Sequence, residues 1–324
     1  MVKLIDVQRH WTPGSYYEEH LGKAGFPRAE RTSKGYRFMP ADGVELDIPD
    51  SDCDLEFHVR QLDVAGISAG VVSPALIATD ALARSAAKEM CRMLNQEMAR
   101  AQEETGGRIV GLATVPLRWP DIARDLAREA IVDLGLPGVW LPTNIRKQGL
   151  GEIAIPEVFA ELDRLGAICF LHPTTGQFDF PRWALEPALG FMFGTTLAVC
   201  ELAMNGSLTR YPSIKFVHPH GGGTIPYLAG RLDTYAAGTR SSPAGDPANR
   251  PSEVLRRLHT DTASLQGRTL ELALEFYGTS RVMFGSDYPY FAPEPQLESV
   301  SAAVAGEERA SVLAANASQF FGID

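Results

Sequence analysis

The sequence predicts an α/β fold, a parallel (β/α)8 TIM barrel made by a single domain over residues 1–324. Three observations predict it. Short apolar runs rich in β-branched residues alternate with longer stretches of helical spacing, eight times in succession, which is the signature of a parallel sheet with helical crossovers. A chain of 324 residues suits one such barrel. Polar residues also gather at the downstream ends of these runs, the rim on which barrels carry their chemistry. A doubly wound open sheet is the alternative; the absence of a GxGxxG after the first run counts against its dinucleotide-binding form.

The first strand is read at 3–7 (KLIDV) and leads into Gln8, Arg9, His10, Trp11, Thr12 and Pro13. Residues 14–52 show no periodicity and carry many Gly, Pro and charged residues, so a lid or insertion loop is expected. Leu55, Val59 and Leu62 have helical spacing within 54–65, with Gly66 as a stop. The second strand is 69–74, and a long helix, capped by Thr79 or Asp80, runs to about residue 104. A third strand at 108–116, a helix at 121–133, a fourth strand at 138–142 and a helix at 155–165 follow. The fifth strand is 166–173, ending Phe-Leu-His-Pro; 175–187 reads as a substrate-side loop and 194–208 as a helix. The run IKFV at 214–217 is the sixth strand, stopping at His218-Pro219-His220 before three glycines and an apolar helical segment. If strand geometry persists, His218 and His220 share a face. A weaker seventh strand lies at 258–262 and an eighth at 281–289, then helices from about 296 to 321. Residues 240–251 read as a flexible insert.

Composition narrows the function. The formal net charge of −10 argues against nucleic acid or an anionic membrane as a main partner, and an anionic substrate then needs a metal or placed arginines. No CxxC pairing joins Cys53, Cys91, Cys169 and Cys200, and the last two sit in apolar runs as buried free thiols. No signal peptide and no apolar run of membrane-spanning length is read, so a cytoplasmic protein is expected.

At the strand ends stand Gln8 and His10, His172, His218 and His220, and Asp287. In a barrel these ends converge, and imidazoles with a carboxylate form a usual ligand set for a divalent metal. Each residue alone has a bland alternative: a structural histidine in a His-Pro turn, or a capped turn at Gly-Ser-Asp-Tyr-Pro. Their recurrence at successive strand ends argues for a site.

The start IDVQRHWTP, the FLHP at 170–173, the HGGG at 220–223 and the FGSDYP at 284–289 resemble one branch of the amidohydrolase superfamily. That branch holds α-amino-β-carboxymuconate-ε-semialdehyde decarboxylase, γ-resorcylate decarboxylase and related aromatic-acid decarboxylases. The resemblance implies a distorted barrel with one catalytic Zn2+ or Mn2+. By matching motifs it implies His10, His172 and Asp287 as metal ligands and His220 as the acid/base of HGGG, with Asp287 sharing in proton handling. It implies that Arg231 reaches the substrate carboxylate of a neighbouring subunit, in a homodimer or higher homo-oligomer; a solvated helix charge is the alternative. Arg37 is the nearest match to a substrate-binding arginine of the first long loop. Gln8 departs from the pattern, which has His or Glu there. An amide oxygen still binds a hard cation, though it adds no charge.

The leading expectation is non-oxidative decarboxylation of an aromatic or unsaturated carboxylic acid. Trp11, His218 and Tyr288, with Tyr290 and Phe291, are candidates for the substrate wall, and core packing is their alternative. Two readings compete: a hydrolase or hydratase using the same metal on an ester, lactone, amide or double bond, and a non-catalytic binding barrel in which Gln8 marks a lost metal site.

Overall fold

The short apolar runs form eight parallel strands in the order expected. The computed structural model describes residues 3–75, 77–145, 147–153, 155–174, 178, 184–238 and 250–323. The strands are β1 (Ile5–His10), β2 (Ala69–Ser73), β3 (Ile109–Gly111, resumed after Leu112 as Ala113–Thr114), β4 (Gly138–Pro142), β5 (Ile168–His172), β6 (Lys215–Val217), β7 (Thr260–Asp261) and β8 (Val282–Met283). They do not form one unbroken ladder. β1–β2–β3, β3–β4–β5–β6 and β7–β8 are separate parallel sheets, with β3 interrupted at Leu112.

Backbone hydrogen bonds link the sheets into a distorted ring. Between β6 and β7, His259 N donates to the Phe216 carbonyl at 3.1 Å and His218 N to the His259 carbonyl at 2.8 Å. Between β8 and β1, Val7 N donates to the Phe284 carbonyl at 2.9 Å, and His10 N to the Tyr288 carbonyl at 2.8 Å. Period-two alternation sorts the strand side chains. Ile5, Val7, Val71, Val110, Trp140, Ile168, Phe170, Val217 and Met283 form one cluster inside the ring, with Phe320 and Phe321. Val139, Leu141, Cys169, Leu171 and Phe216 join the larger cluster shared with the outer helices. The apolar plug fills the ring, so the strand exits beyond it are where polar groups can meet.

Several local expectations are corrected. Residues 14–52 are no irregular loop: they carry a helix, Gly14–Glu18, and an antiparallel sheet of Arg28–Arg31, Gly35–Met39 and Leu46–Pro49. This unit has its own core of Tyr16, Tyr17, Ala29, Tyr36, Phe38 and Ile48, packed on Met90 and Leu94. Its strands are four or five residues long, and Arg28–Arg31 holds one apolar residue, too little for a period to register. Neither Thr79 nor Asp80 caps the long helix, for Thr79–Ala81 is a separate 3-10 turn and the helix Arg84–Glu104 starts after Ala83. One stretch, Glu186–Met204, is apolar and long enough to cross a membrane by length and composition, against the reading that none is. Here it packs on the barrel, with Ala198, Val199 and Leu202 wholly buried. Most of the substrate-side loop read at 175–187 and of the insert read at 240–251 lies outside the described residues.

Candidate active site

The β1–β8 seam sets the first part of the site. Asp6 is a charged residue in an apolar strand, and it is fully buried. Its Oδ1 accepts from Ser286 N at 2.9 Å and its Oδ2 from the Ser286 hydroxyl at 2.6 Å and from Arg9 Nη1 at 2.9 Å. Burial pushes the Asp6 pKa up, against the opposing pull of Arg9 and Ser286. The Arg9 guanidinium lies 4.3 Å from the Tyr288 ring centroid. Ser286 is thereby pinned to β1, and Asp287 N donates to the Gln8 carbonyl at 2.8 Å, which turns Asp287 into the ring.

Around the Asp287 carboxylate stand the residues singled out from the motifs. His10 Nε2 is 2.8 Å from Asp287 Oδ1, and His172 Nε2 is 3.9 Å from the same oxygen. One ligand atom from each of His10, His172 and Asp287 lies within 4.8 Å of the others. The tautomer of His172 follows from its partner. Nδ1 meets the Pro173 carbonyl at 2.9 Å, and a carbonyl only accepts, so Nδ1 carries the proton. Burial, helped by His10, pushes the His172 pKa down to about 4, so the ring is neutral at pH 7. Nε2 therefore presents a lone pair to a carboxylate oxygen, buried and without a hydrogen-bond partner. Two electron-rich atoms face one another, an arrangement a cation resolves. A histidine whose other nitrogen donates to a backbone carbonyl is also the usual form of a metal-bound imidazole. Burial would raise the Asp287 pKa, yet hydrogen bonding with His10 and His220 outweighs it and holds the carboxyl well below the ordinary range. The donor set fits a divalent ion.

The β6 exit supplies the opposite wall. Strand geometry does not persist past Val217. His220 has a left-handed backbone, φ 56° and ψ 46°, so it does not share a strand face with His218. Gly222 makes the turn fit: its φ is +80°, and a Cβ there would stand 2.0 Å from the Tyr277 hydroxyl. His220 Nε2 lies 3.5 Å from Asp287 Oδ2 and 3.0 Å from Gln8 Nε2. Burial lowers the His220 pKa, but the hydrogen bond and charge of Asp287 prevail and raise it. Gln8 Nε2 also donates to Asp287 Oδ1 at 3.1 Å, while Gln8 Oε1 is buried without a partner.

Gln8, His10, His172, His220 and Asp287 are thus brought together. The other candidates are not part of that cluster. His218 is fully buried, pushed down to about 3 by burial, with Nδ1 3.3 Å from the Tyr277 hydroxyl. Trp11 is buried, its indole N–H donating to the Cys53 carbonyl at 3.0 Å. Tyr288 packs on Arg9 and His58, whereas Tyr290 has its ring centroid 5.6 Å from that of His10, at the rim. Arg231 is exposed on the helix Ile225–Gly238, over the Tyr235 ring. Arg37 is spent on Asp47 at 3.1 Å. Sequence reasoning missed Asp6, Arg9 and Ser286, and Asp261 at the β7 exit. A carboxylate inside an apolar strand was the available signal for Asp6; Asp261 stands at its strand end as Asp287 does, but its strand is two residues long.

Comparison with known proteins adds three findings. A model of the amidohydrolase family (Amidohydro_2) matches residues 5–323. The chain is 26% identical over 331 residues to 2-amino-3-carboxymuconate-6-semialdehyde decarboxylase of Dictyostelium discoideum, covering 99% of this chain and 92% of that protein. It is 28% identical over 291 residues to 6-methylsalicylic acid decarboxylase of Penicillium expansum, covering 88% and 84% respectively. Its fold matches, at a TM-score of 0.84 and 18% identity over 99% of this chain and 97% of the other, a variant of 5-carboxyvanillate decarboxylase of Novosphingobium aromaticivorans crystallised with manganese and 3-methoxy-4-hydroxy-5-nitrobenzoic acid.

Proposed function

The chain belongs to the amidohydrolase family, and from that premise we propose that it is a metal-dependent non-oxidative decarboxylase of an aromatic or unsaturated carboxylic acid. The observation that carries the reading is the lone pair of His172 Nε2 aimed at the Asp287 carboxylate, with His220 on that carboxylate's other oxygen. His10 Nε2, His172 Nε2 and Asp287 Oδ1 are the atoms that would hold the metal, Mn2+ or Zn2+. The ion when bound supplies a Lewis acid that fixes the substrate carboxylate and neighbouring oxygen. Gln8 joins through Oε1 if its amide turns over, since nitrogen and oxygen exchange places on a flip. The turned oxygen would stand 3.0 Å from His220 Nε2, where it can accept from the protonated imidazole.

His220 does the proton work. Asp287 favours its charged form, so Nε2 holds a proton for the carbon bearing the carboxylate. Protonation there leaves the ring electron-deficient; the bond to the carboxylate breaks, CO2 departs, and the bond's electron pair restores conjugation. Asp287 keeps the imidazole oriented and steadies its charge. Tyr290 stands at the mouth of the site, positioned to lie against the substrate ring.

Assembly and location belong to the same reading. Leu189, Phe193 and Leu197 recur every four residues and are 47%, 42% and 43% exposed, and the exposed Tyr227 and Tyr235 flank Arg231 on the helix Ile225–Gly238. These support a homodimer or higher homo-oligomer in which Arg231 reaches a neighbouring copy's substrate. Four free cysteines support a cytoplasmic setting, and the net charge of −10 a small-molecule partner rather than nucleic acid. CO2 release from a panel of hydroxybenzoates, with chelator-treated protein reloaded with Mn2+ or Zn2+, tests the activity. Metal-dependent release from at least one acid is expected. Release from none, with hydrolysis of an ester or lactone instead, overturns it.

A further inference from the structure

The β6–β7 junction has a feature that none of the motifs contains. His259 N donates to the Phe216 carbonyl and His218 N to the His259 carbonyl, an ordinary parallel alternation. Pro219 has no N–H, so the next donor is His220 N. It goes to a side chain: Asp261 Oδ1, two residues beyond His259, accepts it at 2.8 Å. The same oxygen accepts from Ala263 N at 3.0 Å, which fixes the carboxylate at the strand exit. Asp261 is wholly buried, and its Oδ2 has no partner. Gly285 lets Asp261 and Gln8 both pack against the β8 exit: a Cβ there would lie 2.9 Å from Asp261 Cβ and 3.1 Å from Gln8 Cβ.

We propose that Asp261 is a positioning residue: its carboxylate oxygen stands in for a strand carbonyl, holds His220 in its left-handed turn, and so sets where the imidazole meets Asp287. A left-handed backbone is unfavourable for a residue with a Cβ and persists only where surroundings impose it. At His220 the imposing groups are the glycine turn and Asp261. Its part in turnover rests on the reading of His220 as proton donor; its part in the backbone does not.

Two substitutions test this in the metal-loaded, full-length protein. Asp261→Ala removes the acceptor, while Asp261→Asn keeps an oxygen for both N–H groups and removes the charge. Asp261→Ala is expected to lower kcat by about 100-fold, as for a displaced reacting group, with KM and bound Mn2+ near wild type. Its crystal structure should show His220 released from positive φ. Asp261→Asn should restore most of kcat and keep the His220 hydrogen bond. An Ala variant with wild-type kcat and His220 still at positive φ overturns the proposal, as does an Asn variant as impaired as the Ala one. If the Ala variant does not fold, the Asn variant decides alone, by whether kcat and the His220 bond survive. If the wild-type protein decarboxylates nothing, the functional reading fails while the φ of His220 in these variants still decides the positioning claim.

Discussion

Two residues with left-handed backbones face each other across the site, Asp287 at φ 63° on the β8 exit and His220 at φ 56° on the β6 exit. An aspartate from a neighbouring strand holds each turn, Asp6 through Ser286 and Asp261 through His220 itself. Asp6 uses both oxygens and is paired with a buried arginine. Asp261 uses one oxygen on two backbone N–H groups, and among the described residues no ion pair reaches it. The Asp287 side is a charge-compensated lock, and the His220 side a lighter hold with no arginine or lysine paired to its aspartate among the described residues. The difference suits the proposed roles: a metal ligand must keep one ionised geometry, whereas an acid must gain and lose a proton in place, and a fixed cation beside it would oppose the charged form.

The largest expected effect lies on the lighter side. His220→Asn keeps volume and polarity, so folding and metal content should survive while kcat falls by roughly 10²–10⁴-fold. Steady-state kinetics check it, with His218→Asn as the control that should affect stability instead. On the locked side, Arg9→Met leaves Asp6 buried without its cation. Removing one partner of a buried pair costs about 3–5 kcal/mol, so the urea midpoint should drop sharply. A drop no larger than that of Asp261→Asn would erase the distinction between lock and hold.

A smaller effect is set by His259, which carries the backbone link between β6 and β7. Burial, then Arg281 and Lys215, pushes its pKa from 6.5 down to about 4. Between those values the unfolded chain binds a proton that the folded chain refuses. Stability is thus full above about pH 6.5 and falls as pH drops toward 4. Urea unfolding at several pH values should show this slope, shallower in His259→Phe. An unchanged slope would mean that other buried histidines carry it.

What the sequence could say divides along the same line. The strands are legible because their apolar runs are continuous, and His10, His172, His220 and Asp287 because rare polar types recur at strand exits. The unit at 14–52 was not, since strands such as Arg28–Arg31 are pairing-driven rather than patterned. His218 was grouped with His220 because sequence spacing assumes a continuing strand, and the turn at His220 breaks it. Asp6 and Asp261 act through partners hundreds or tens of residues away, Ser286 and His220, and no local window contains such pairs.

The central claim is that the cluster at the strand exits is a metal centre. Its direct test is a Mn2+ titration of chelator-treated protein followed by electron paramagnetic resonance, on wild type and His172→Ala. Wild type should bind one Mn2+ per chain tightly, and His172→Ala, which loses the lone pair facing Asp287, should bind it far more weakly and lose turnover. Equal affinity and equal turnover in the two proteins would contradict the account.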